Sequence, residues 1–276
     1  MLAELLHFAL TPASMAARRD GSVADSVALW ARGNRQRRAW AAHETHARAV
    51  AEAAIGELRQ TRTAVVLGSG LLRDVPIELL RARFKRVVLV DLVHLASVRL
   101  RALLGRWGNV EFMVRDIAGG EEGRDEGGDS GASPLAFLRS IPDLDLVISA
   151  NVLSQIGVAA RARAEEIAGA DLDGPLADVA RRLRRHLDAL AGLGARAVLI
   201  TDIAYRVRDR AGGEIEHYDL MHGVALPPAD ARWEWPVAPF GEIRRDIERV
   251  HDVVAHGDFG RAWSAGVGSP PDADRG

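Results

Sequence analysis

Residues 63–70 read Thr-Ala-Val-Val-Leu-Gly-Ser-Gly, an apolar run that stops in a glycine-rich turn. A β-branched run of this length is typical of a strand that is buried on both faces of a parallel sheet. Glycines directly after such a strand let the backbone turn sharply and approach a ligand closely. We therefore predict a buried strand over 63–67 and a candidate ligand-binding turn from Gly68 to Gly70.

Strands and helices continue to alternate on the carboxyl side of this turn. The further predicted strands cover 86–90, 110–114, 144–149 and 196–201, and the predicted helices cover 72–84, 95–104 and 176–190. Alternation of this kind is typical of an α/β fold, in which helices cover both faces of a mostly parallel sheet. Between the third and fourth strands, the glycine-rich acidic tract 119–131 predicts a mobile surface loop.

The amino-terminal part of the chain predicts helices only. Residues 2–10 are apolar but are interrupted by Glu4 and His7, which favours a short amphipathic helix over a signal peptide. Apolar residues recur at helical spacing over 22–58 and predict two helices joined near Gly33. We expect residues 1–60 to form a helical cap on a domain that covers 61–263.

The carboxyl-terminal part predicts an addition to the sheet. Alternating residues on both sides of 211–213 predict a β-hairpin over about 203–222. Segments 232–237 and 248–254 are expected to be the last two strands, and 264–276 is expected to be a disordered tail.

Composition excludes several classes of protein. Lys and Arg total 36 against 38 Asp and Glu, so the net charge of -2 gives no reason to expect nucleic acid or an anionic membrane as partner. Cysteine is absent, which excludes disulfides, thiolate metal sites and cysteine nucleophiles. No apolar run approaches the roughly 20 residues that span a bilayer. We expect a soluble, cytoplasmic protein.

Two aspartates follow strands at the same predicted edge of the sheet as the glycine turn. Asp91 can accept hydrogen bonds from ribose hydroxyls, or it can cap a helix that begins near Leu95. Asp116 can accept from the amine of a purine, or it is an ordinary loop carboxylate. Arg73 stands where a dinucleotide fingerprint needs its third glycine, which disfavours NAD.

The motifs at 65–70, 88–91, 114–116 and 146–151 together resemble the nucleoside-binding motifs of class I S-adenosylmethionine-dependent methyltransferases. The resemblance covers about 63–202 and implies a Rossmann-like sheet with S-adenosylmethionine as cofactor. The acidic residue that the family places two before its first glycine is Val66 here, and its third glycine is Leu72. Asp74 is a candidate substitute for holding the amino-carboxylate end of the cofactor.

The resemblance also implies a role for each motif residue. The glycine turn would hold the methionine portion, Asp91 the ribose and Asp116 the adenine, while 149–151 would line the path to the methyl group. The complete set of cofactor-binding residues that we predict is Gly68, Ser69, Gly70, Asp74, Asp91, Leu92, Asp116, Ile117, Ala150 and Asn151.

The sequence gives fewer signals for the residues that would bind the molecule that receives the methyl group. The hairpin carries His217, Tyr218 and His222, whose side chains can accept a proton near neutral pH, and we predict them as the catalytic residues. A metal could also be ligated by the side chains of His217, Asp219 and His222. Such residues on a polar hairpin more often face the solvent, so no metal is expected.

Two further groups allow alternative interpretations. Trp233 and Trp235 share one face of a strand and indicate core or interface packing more than a stacking cage. Arg35, Arg38 and His43 indicate either a solvated helix face or, if the helices cap the sheet, a site for an acidic acceptor.

We therefore expect a methyltransferase that acts on a small-molecule acceptor, with a homodimer as a further possibility. Two alternatives use the same cofactor. One is an aminobutanoyl transferase similar to nicotianamine synthase, whose glycine loop also reads Gly-Ser-Gly. The other is a non-catalytic S-adenosylmethionine-binding protein that uses its hairpin or tryptophan pair to engage a partner.

Overall fold

The computed structural model describes residues 2–117, 135–157 and 173–267. The strands are β1 (Thr63–Leu67), β2 (Arg86–Asp91), β3 (Val110–Val114), β4 (Leu144–Ala150), β5 (Arg196–Asp209), β6 (Glu214–Asp219), β7 (Ala231–Ala238) and β8 (Ile247–His256). The helices are α1 (Leu2–Leu10), α2 (Met15–Arg19), α3 (Ser22–Arg35), α4 (Arg37–Gly56), α5 (Ile77–Arg83), α6 (Ala96–Leu104), α7 (described over 152–157), α8 (Asp173–Ala191) and α9 (Phe259–Val267), with a 3₁₀ helix at Ala136–Ser140.

All eight strands belong to one sheet with the order β3-β2-β1-β4-β5-β8-β7, while β6 pairs with β5 outside this path. Strands β1 to β5 are parallel, and β8 is antiparallel to both β5 and β7. All five residues of β1 are buried, as expected for the centre of a parallel sheet. The predicted Rossmann-like α/β fold is confirmed.

Helices cover both faces of the sheet because alternate residues of each buried strand point to opposite sides. Ala64 and Val66 of β1 pack in the core beneath α4, α5 and α6, on what we call the α4 face. Val65 and Leu67 pack against the 3₁₀ helix, α7, α8 and α9, on what we call the α8 face. The two cores give each strand an apolar environment on both sides.

Helices α1 to α3 lie beside the carboxyl edge of β1 and β2. The guanidinium of Arg73 donates to the carbonyl oxygen of Gly33 at 2.7 Å, which ties α3 to the glycine turn. The backbone N–H of Ala96 donates to the Thr11 hydroxyl at 3.1 Å, which ties the end of α1 to the start of α6. The two helices predicted over 22–58 are present as α3 and α4, joined at Gln36.

Strand β5 is longer than predicted and continues into the hairpin. Its first part pairs with β4 up to the partners Ala150 and Ile200. Beyond a register shift between Asp202 and Ala204, the strand pairs with β6 on the edge that β4 has left, while β8 stays on the other edge. The predicted hairpin is therefore confirmed, and it projects past the carboxyl edge of the parallel strands.

Two element boundaries differ from prediction. Helix α5 begins at Ile77 rather than near residue 72, because Leu72 has a φ of +53° and Pro76 ends the preceding turns. Helix α9 continues to Val267, so the first four residues of the predicted disordered tail are helical. The indole of Trp263 donates to Asp188 at 3.1 Å and holds α9 against α8. The predicted glycine-rich loop and residues 268–276 lie outside the described residues.

Within the described ranges, no helix has both the length and the apolar character needed to cross a membrane.

Candidate active site

The glycine turn packs tightly against the end of β4. Gly68 has a φ of +71°, and a Cβ placed on it would lie 2.6 Å from Val152 Cγ2 and 2.7 Å from the carbonyl oxygen of Ala150. Gly70 has a φ of +44°, but a Cβ there would meet nothing closer than 3.7 Å. Gly68 is therefore required by both space and conformation, whereas Gly70 is favoured by conformation alone.

Asp91 holds the glycine turn by hydrogen bonds. Its carboxylate accepts the Gly70 N–H at 2.7 Å, the Val93 N–H at 3.4 Å and the Ser69 hydroxyl at 3.5 Å. Burial raises the pKa of Asp91, and the hydrogen bond from Gly70 offsets part of this rise. The alternative in which Asp91 caps α6 is wrong, because Leu95 occupies the N-cap position.

Ser69 is held from its other side by His94, which sequence analysis missed. His94 is 1% exposed, and burial lowers its pKa. Its Nε2 lies 3.0 Å from the carbonyl oxygen of Met113, and its Nδ1 lies 3.4 Å from the Ser69 hydroxyl. A neutral ring that donates from Nε2 can accept at Nδ1, so the single proton of the Ser69 hydroxyl is directed either to His94 or to Asp91. His94 thus links the ends of β1, β2 and β3.

Asp74 and Asn151 come together beside the turn. The Asn151 side-chain amide donates to the Asp74 carboxylate at 2.9 Å. Burial raises the pKa of Asp74, and the nearby charge of Glu44 acts in the same direction. Asn151 has a φ of +54°, and its buried Oδ1 has no hydrogen-bond partner among the residues that the structure describes. A buried acceptor and a carboxylate thus lie side by side, which is an arrangement suited to a cationic group.

The other predicted cofactor residues occupy the same edge. Leu92 is partly exposed beside the cap helices, and Ala150 is buried at the end of β4. Asp116 is partly exposed after β3, and Ile117 is buried on the α8 face. All lie at or just beyond the carboxyl ends of parallel strands, which is where open α/β sheets bind ligands.

Further along this edge, a polar network reaches β8. The Ser154 hydroxyl lies 3.4 Å from the carbonyl oxygen of Asn151. Asp202, which is 3% exposed, lies within β5 two residues past the last pair with β4, and it accepts from His251 Nδ1 at 2.5 Å. Burial acts to raise the pKa of Asp202, but the hydrogen bonds from His251 and Ser154 outweigh it and lower that pKa.

Aromatic rings surround this pair on the α4 face. His43 stacks on Trp235 with the ring centroids 3.9 Å apart, and the indole of Trp233 donates to His43 Nδ1 at 3.1 Å. The His251 ring lies 5.6 Å from the Tyr205 ring and 5.9 Å from the Trp235 ring. Trp235 belongs to the core, as predicted.

His43 differs from the expected solvated residue. It is 2% exposed, and burial lowers its pKa to about 4. Arg35 binds Glu242, in the segment between β7 and β8, at 2.5 Å and lies 3.7 Å from Glu4, so its charge is paired. Arg38 remains exposed on α4. Arg35, Arg38 and His43 therefore do not come together as the site for an acidic acceptor that the sequence allowed.

The structure separates the three predicted catalytic residues. The Tyr218 hydroxyl lies 3.4 Å from His222 Nε2, and the Tyr218 ring stacks on Tyr205 at 5.4 Å, so these two predicted residues come together near His251. His217 pairs with Arg206 and points to the opposite side of the hairpin. There it lines an open cavity of about 590 Å³ with Asp219 and residues of β7 and β8. Across the described ranges, no group of three or more potential ligands could hold a metal.

Asp202 and His251 were also missed from sequence. Asp202 follows an apolar run, as Asp91 does, so the pattern that identified Asp91 could have identified it. His251 carries no comparable signal, because its partner lies 49 positions earlier in the chain. Only the pairing of β5 with β8 brings the two together.

No protein-family model matches the chain, and no curated protein sequence matches it. The chain is similar to solved structures of methyltransferases. For N-methyltransferase NodS from Bradyrhizobium japonicum WM9 in complex with S-adenosylhomocysteine, the identity is 14% and the TM-score 0.38, covering 78% of this chain and 85% of the other.

Two more structures show the same level of likeness. The 1,6-didemethyltoxoflavin-N1-methyltransferase from Burkholderia thailandensis, with bound 1,6-didemethyltoxoflavin and S-adenosylhomocysteine, has 15% identity and a TM-score of 0.39, covering 90% and 93% of the two chains. An rRNA methylase from Streptococcus thermophilus has 14% identity and a TM-score of 0.33, covering 75% and 94%. Likeness at this level establishes neither an activity nor an acceptor for this chain.

Proposed function

We propose that this protein is an S-adenosylmethionine-dependent methyltransferase that acts on a small-molecule acceptor. The observation that carries the proposal is the assembly, at one carboxyl edge, of the turn Gly68 to Gly70, the Asp91 carboxylate and the pair of Asp74 with Asn151. Together with the motif resemblance, this edge matches what a nucleoside with an amino-acid arm requires.

The residues present fit that cofactor. Asp91 is partly exposed and can accept from ribose hydroxyls while it holds Gly70. The amino group of the cofactor would lie against the Asp74 carboxylate and the Asn151 Oδ1, since a buried acceptor without a partner favours a cationic donor. When bound, the cofactor supplies an electrophilic methyl group on a sulfonium sulfur. The contribution of the chain to such a displacement is to position the acceptor and to exclude water.

Calorimetry with purified protein tests the cofactor directly. S-adenosylmethionine and S-adenosylhomocysteine should bind at one site per chain, and either at saturation should raise the melting temperature by mass action. NAD should not bind. Binding of NAD without binding of either S-adenosyl compound would overturn the proposal.

Product analysis with labelled cofactor separates the activities that share this fold. S-adenosylhomocysteine as product indicates methyl transfer, whereas methylthioadenosine indicates transfer of the aminobutanoyl group. Cofactor binding without either product indicates a binding protein. No structural observation favours the two alternatives over methyl transfer.

We also infer a cytoplasmic location and a homodimer. The absence of cysteine fits a reducing compartment. Exposed leucines on the contacting helices α1 and α6 form an apolar surface that supports self-association; they are Leu2, Leu5, Leu6, Leu10, Leu100, Leu103 and Leu104. Light scattering should give twice the mass of the chain, and Leu103→Glu should restore the monomer. A monomeric wild-type protein would contradict the homodimer.

A further inference from the structure

The pair of Asp202 and His251 lies beyond the residues that the cofactor needs. Asp202 has a side chain that is 5% exposed, His251 one that is 15% exposed, and the hydrogen bond between them is 2.5 Å long. The Ser154 hydroxyl, which hydrogen-bonds to Asp202, lies 3.4 Å from the carbonyl oxygen of Asn151, at the predicted path to the methyl group. The pair therefore lies where a methyl acceptor would meet the cofactor.

The hydrogen bond determines which nitrogen of His251 is basic. A carboxylate accepts from the Nδ1–H, so the proton of the neutral ring stays on Nδ1 and the lone pair stays on Nε2. Among the described residues, none forms a hydrogen bond with Nε2. An imidazole that is oriented by a buried carboxylate and has a free Nε2 is suited to accept a proton from a ligand.

The surroundings of His251 favour a flat and uncharged ligand. Tyr205 and Trp235 present rings to it from the neighbouring strands, and the Tyr218 ring extends this surface on the hairpin. Flat apolar rings pack well against such walls. The Asp74 and Asp202 carboxylates make the edge unfavourable for an anionic acceptor, because like charges repel.

The titratable and charged groups that face His251 come from several elements. They are Asp202 and Tyr205 on β5, Tyr218 on β6, His43 on α4, and Arg249 on β8, whose guanidinium lies 4.7 Å from the centre of the Tyr205 ring. Among the described residues of β7, the ring that lies against His251 is that of Trp235. None of these groups other than Asp202 bonds directly to the His251 ring.

Two buried N–H groups on the aromatic rings near the pair have no hydrogen-bond acceptor among the described residues. Trp233 donates to His43 Nδ1, so the neutral His43 ring carries its proton on Nε2. His43 Nε2 and Trp235 Nε1 are both buried, and neither has a hydrogen-bond partner in the part of the chain that the structure describes. Buried donors without partners are rare and call for an acceptor, which an oxygen can provide.

We propose that His251, positioned by Asp202, is the general base for a methyl acceptor that carries a hydroxyl on an aromatic ring. This rests on the proposed methyl transfer. His251 Nε2 takes the hydroxyl proton while an oxygen lone pair forms the bond to the methyl carbon. The electrons of the broken carbon–sulfur bond stay on sulfur. The products are the methyl ether, S-adenosylhomocysteine and an imidazolium that releases its proton to solvent.

The first experiment needs no acceptor, because diethyl pyrocarbonate reacts with free imidazole nitrogens. At pH 8, peptide mass spectrometry should find His251 modified and the buried His43, His186 and His256 unmodified. Asp202→Asn should slow the reaction at His251, since the ring loses the carboxylate that holds its proton on Nδ1 and keeps the lone pair on Nε2. The control His46→Gln changes an exposed histidine one turn from His43 and should leave the rate at His251 unchanged.

Replacing Asp202 risks unfolding the protein, so the tautomer is also read in the unaltered chain. Nitrogen-15 NMR should show that the neutral His251 ring carries its proton on Nδ1 and has none on Nε2. His251→Gln identifies the signal by its loss. The opposite tautomer, or an unreactive His251 in the modification experiment, would overturn the role of the pair whether or not S-adenosylmethionine binds.

The second experiment tests the acceptor class with phenol and 4-nitrophenol as probes at pH 8, where only the second is largely ionised. His251→Gln should lower methyl transfer to phenol by about 10²–10⁴-fold, the range of general-base catalysis, and transfer to 4-nitrophenol by much less. Calorimetric affinity for S-adenosylhomocysteine should stay unchanged. Equal losses with both probes would exclude a base, and no transfer by the wild type to either would overturn the aromatic hydroxyl class.

Discussion

The carboxyl edge of the sheet has two ends that are built differently. The cofactor end comprises the glycine turn and Asp91, which are close in sequence and bond to one another through backbone N–H groups. The acceptor end comprises His43, Asp202, Trp235 and His251, which come from four different elements. The first end is organised by the local chain, and the second exists only after the whole sheet has formed.

The carboxylates at the two ends differ in the same way. Burial raises the pKa of Asp91 and of Asp74, neither of which has a cationic side chain as hydrogen-bond partner in the described structure. Asp202 is more deeply buried than either, yet hydrogen bonds from His251 and Ser154 lower its pKa. Carboxylates without a cationic partner suit ligand binding, whereas a partnered one suits the orientation of a neighbouring ring.

The largest effect that we predict is a loss of stability caused by a steric clash at the cofactor end. Gly68→Ala should lower the free energy of unfolding by about 4 kcal/mol, because the new Cβ meets Val152 and the Ala150 carbonyl in a left-handed conformation. Gly70→Ala is the matched control and should cost about 1 kcal/mol, since it has only the conformational penalty. Urea denaturation measures both, and equal losses would contradict the close approach of β4.

The second effect is on the acid stability of the acceptor end. The folded pKa of His43 lies at about 4, below its ordinary value of 6.5, so the unfolded chain binds the proton first. Stability should therefore fall as the pH drops from 6.5 towards 4, with about 3 kcal/mol from this residue. His43→Phe should remove that part of the pH dependence.

A buried histidine outside the site provides the comparison. Burial also lowers the pKa of His186 on α8 to about 4, and both its ring nitrogens lack partners among the described residues. His186→Leu should flatten the pH dependence to a similar extent without affecting ligand binding. Chemical denaturation between pH 4 and pH 7 measures both variants, and unaltered slopes would show that these rings do not resist protonation.

The third effect is on the affinity for the cofactor and tests the role of Asp91. Asp91→Ala should weaken binding of S-adenosylhomocysteine by about 2 kcal/mol, the scale of hydrogen bonds to a charged acceptor, without unfolding the protein. Asp25→Ala, at an exposed position on α3, is the control and should bind normally. Calorimetry and thermal melting are compared for each. Unchanged affinity with a large loss of stability would make Asp91 a structural support of the turn only.

The smallest effect compares the two kinds of carboxylate directly. Asp74→Asn should stabilise the protein at pH 7 by about 1 kcal/mol, because the raised pKa means that the folded state disfavours the charge. This gain should vanish at low pH, where the carboxyl group is protonated. Asp202→Asn should act in the opposite direction by at least about 1 kcal/mol, since a lowered pKa contributes stability that is present above the unfolded pKa. If both substitutions stabilised the protein, or both destabilised it, the two carboxylates would not differ in the way that we describe.

Most of the sheet could be predicted because its strands are short apolar runs that end in glycine or aspartate. Strands β1 and β3 match their predicted ranges, and the positions of Gly68 and Asp91 follow from the same local pattern. The cap helices were predictable from apolar spacing. In each case the information lies within a few residues of the element concerned.

The acceptor end could not be predicted, because it depends on tertiary pairing. Nothing near His43 in the sequence shows that Trp235 stacks on it, and nothing near His251 shows its carboxylate partner. The hairpin was predicted from its alternation, but the side to which His217 points depends on the register with Arg206. The predicted catalytic roles of Tyr218 and His222 stay predictions.

Strand β5 changes its neighbour from β4 to β6 at the shift after Asp202, and this has a consequence for engineering. The first half of the strand belongs to the scaffold, and the second half carries an interchangeable module. A hairpin of another length or composition, grafted beyond Asp202, would leave every pairing among β1, β2, β3 and β4 in place. New acceptor specificities are therefore best sought in libraries confined to residues 203–222, with the glycine turn untouched.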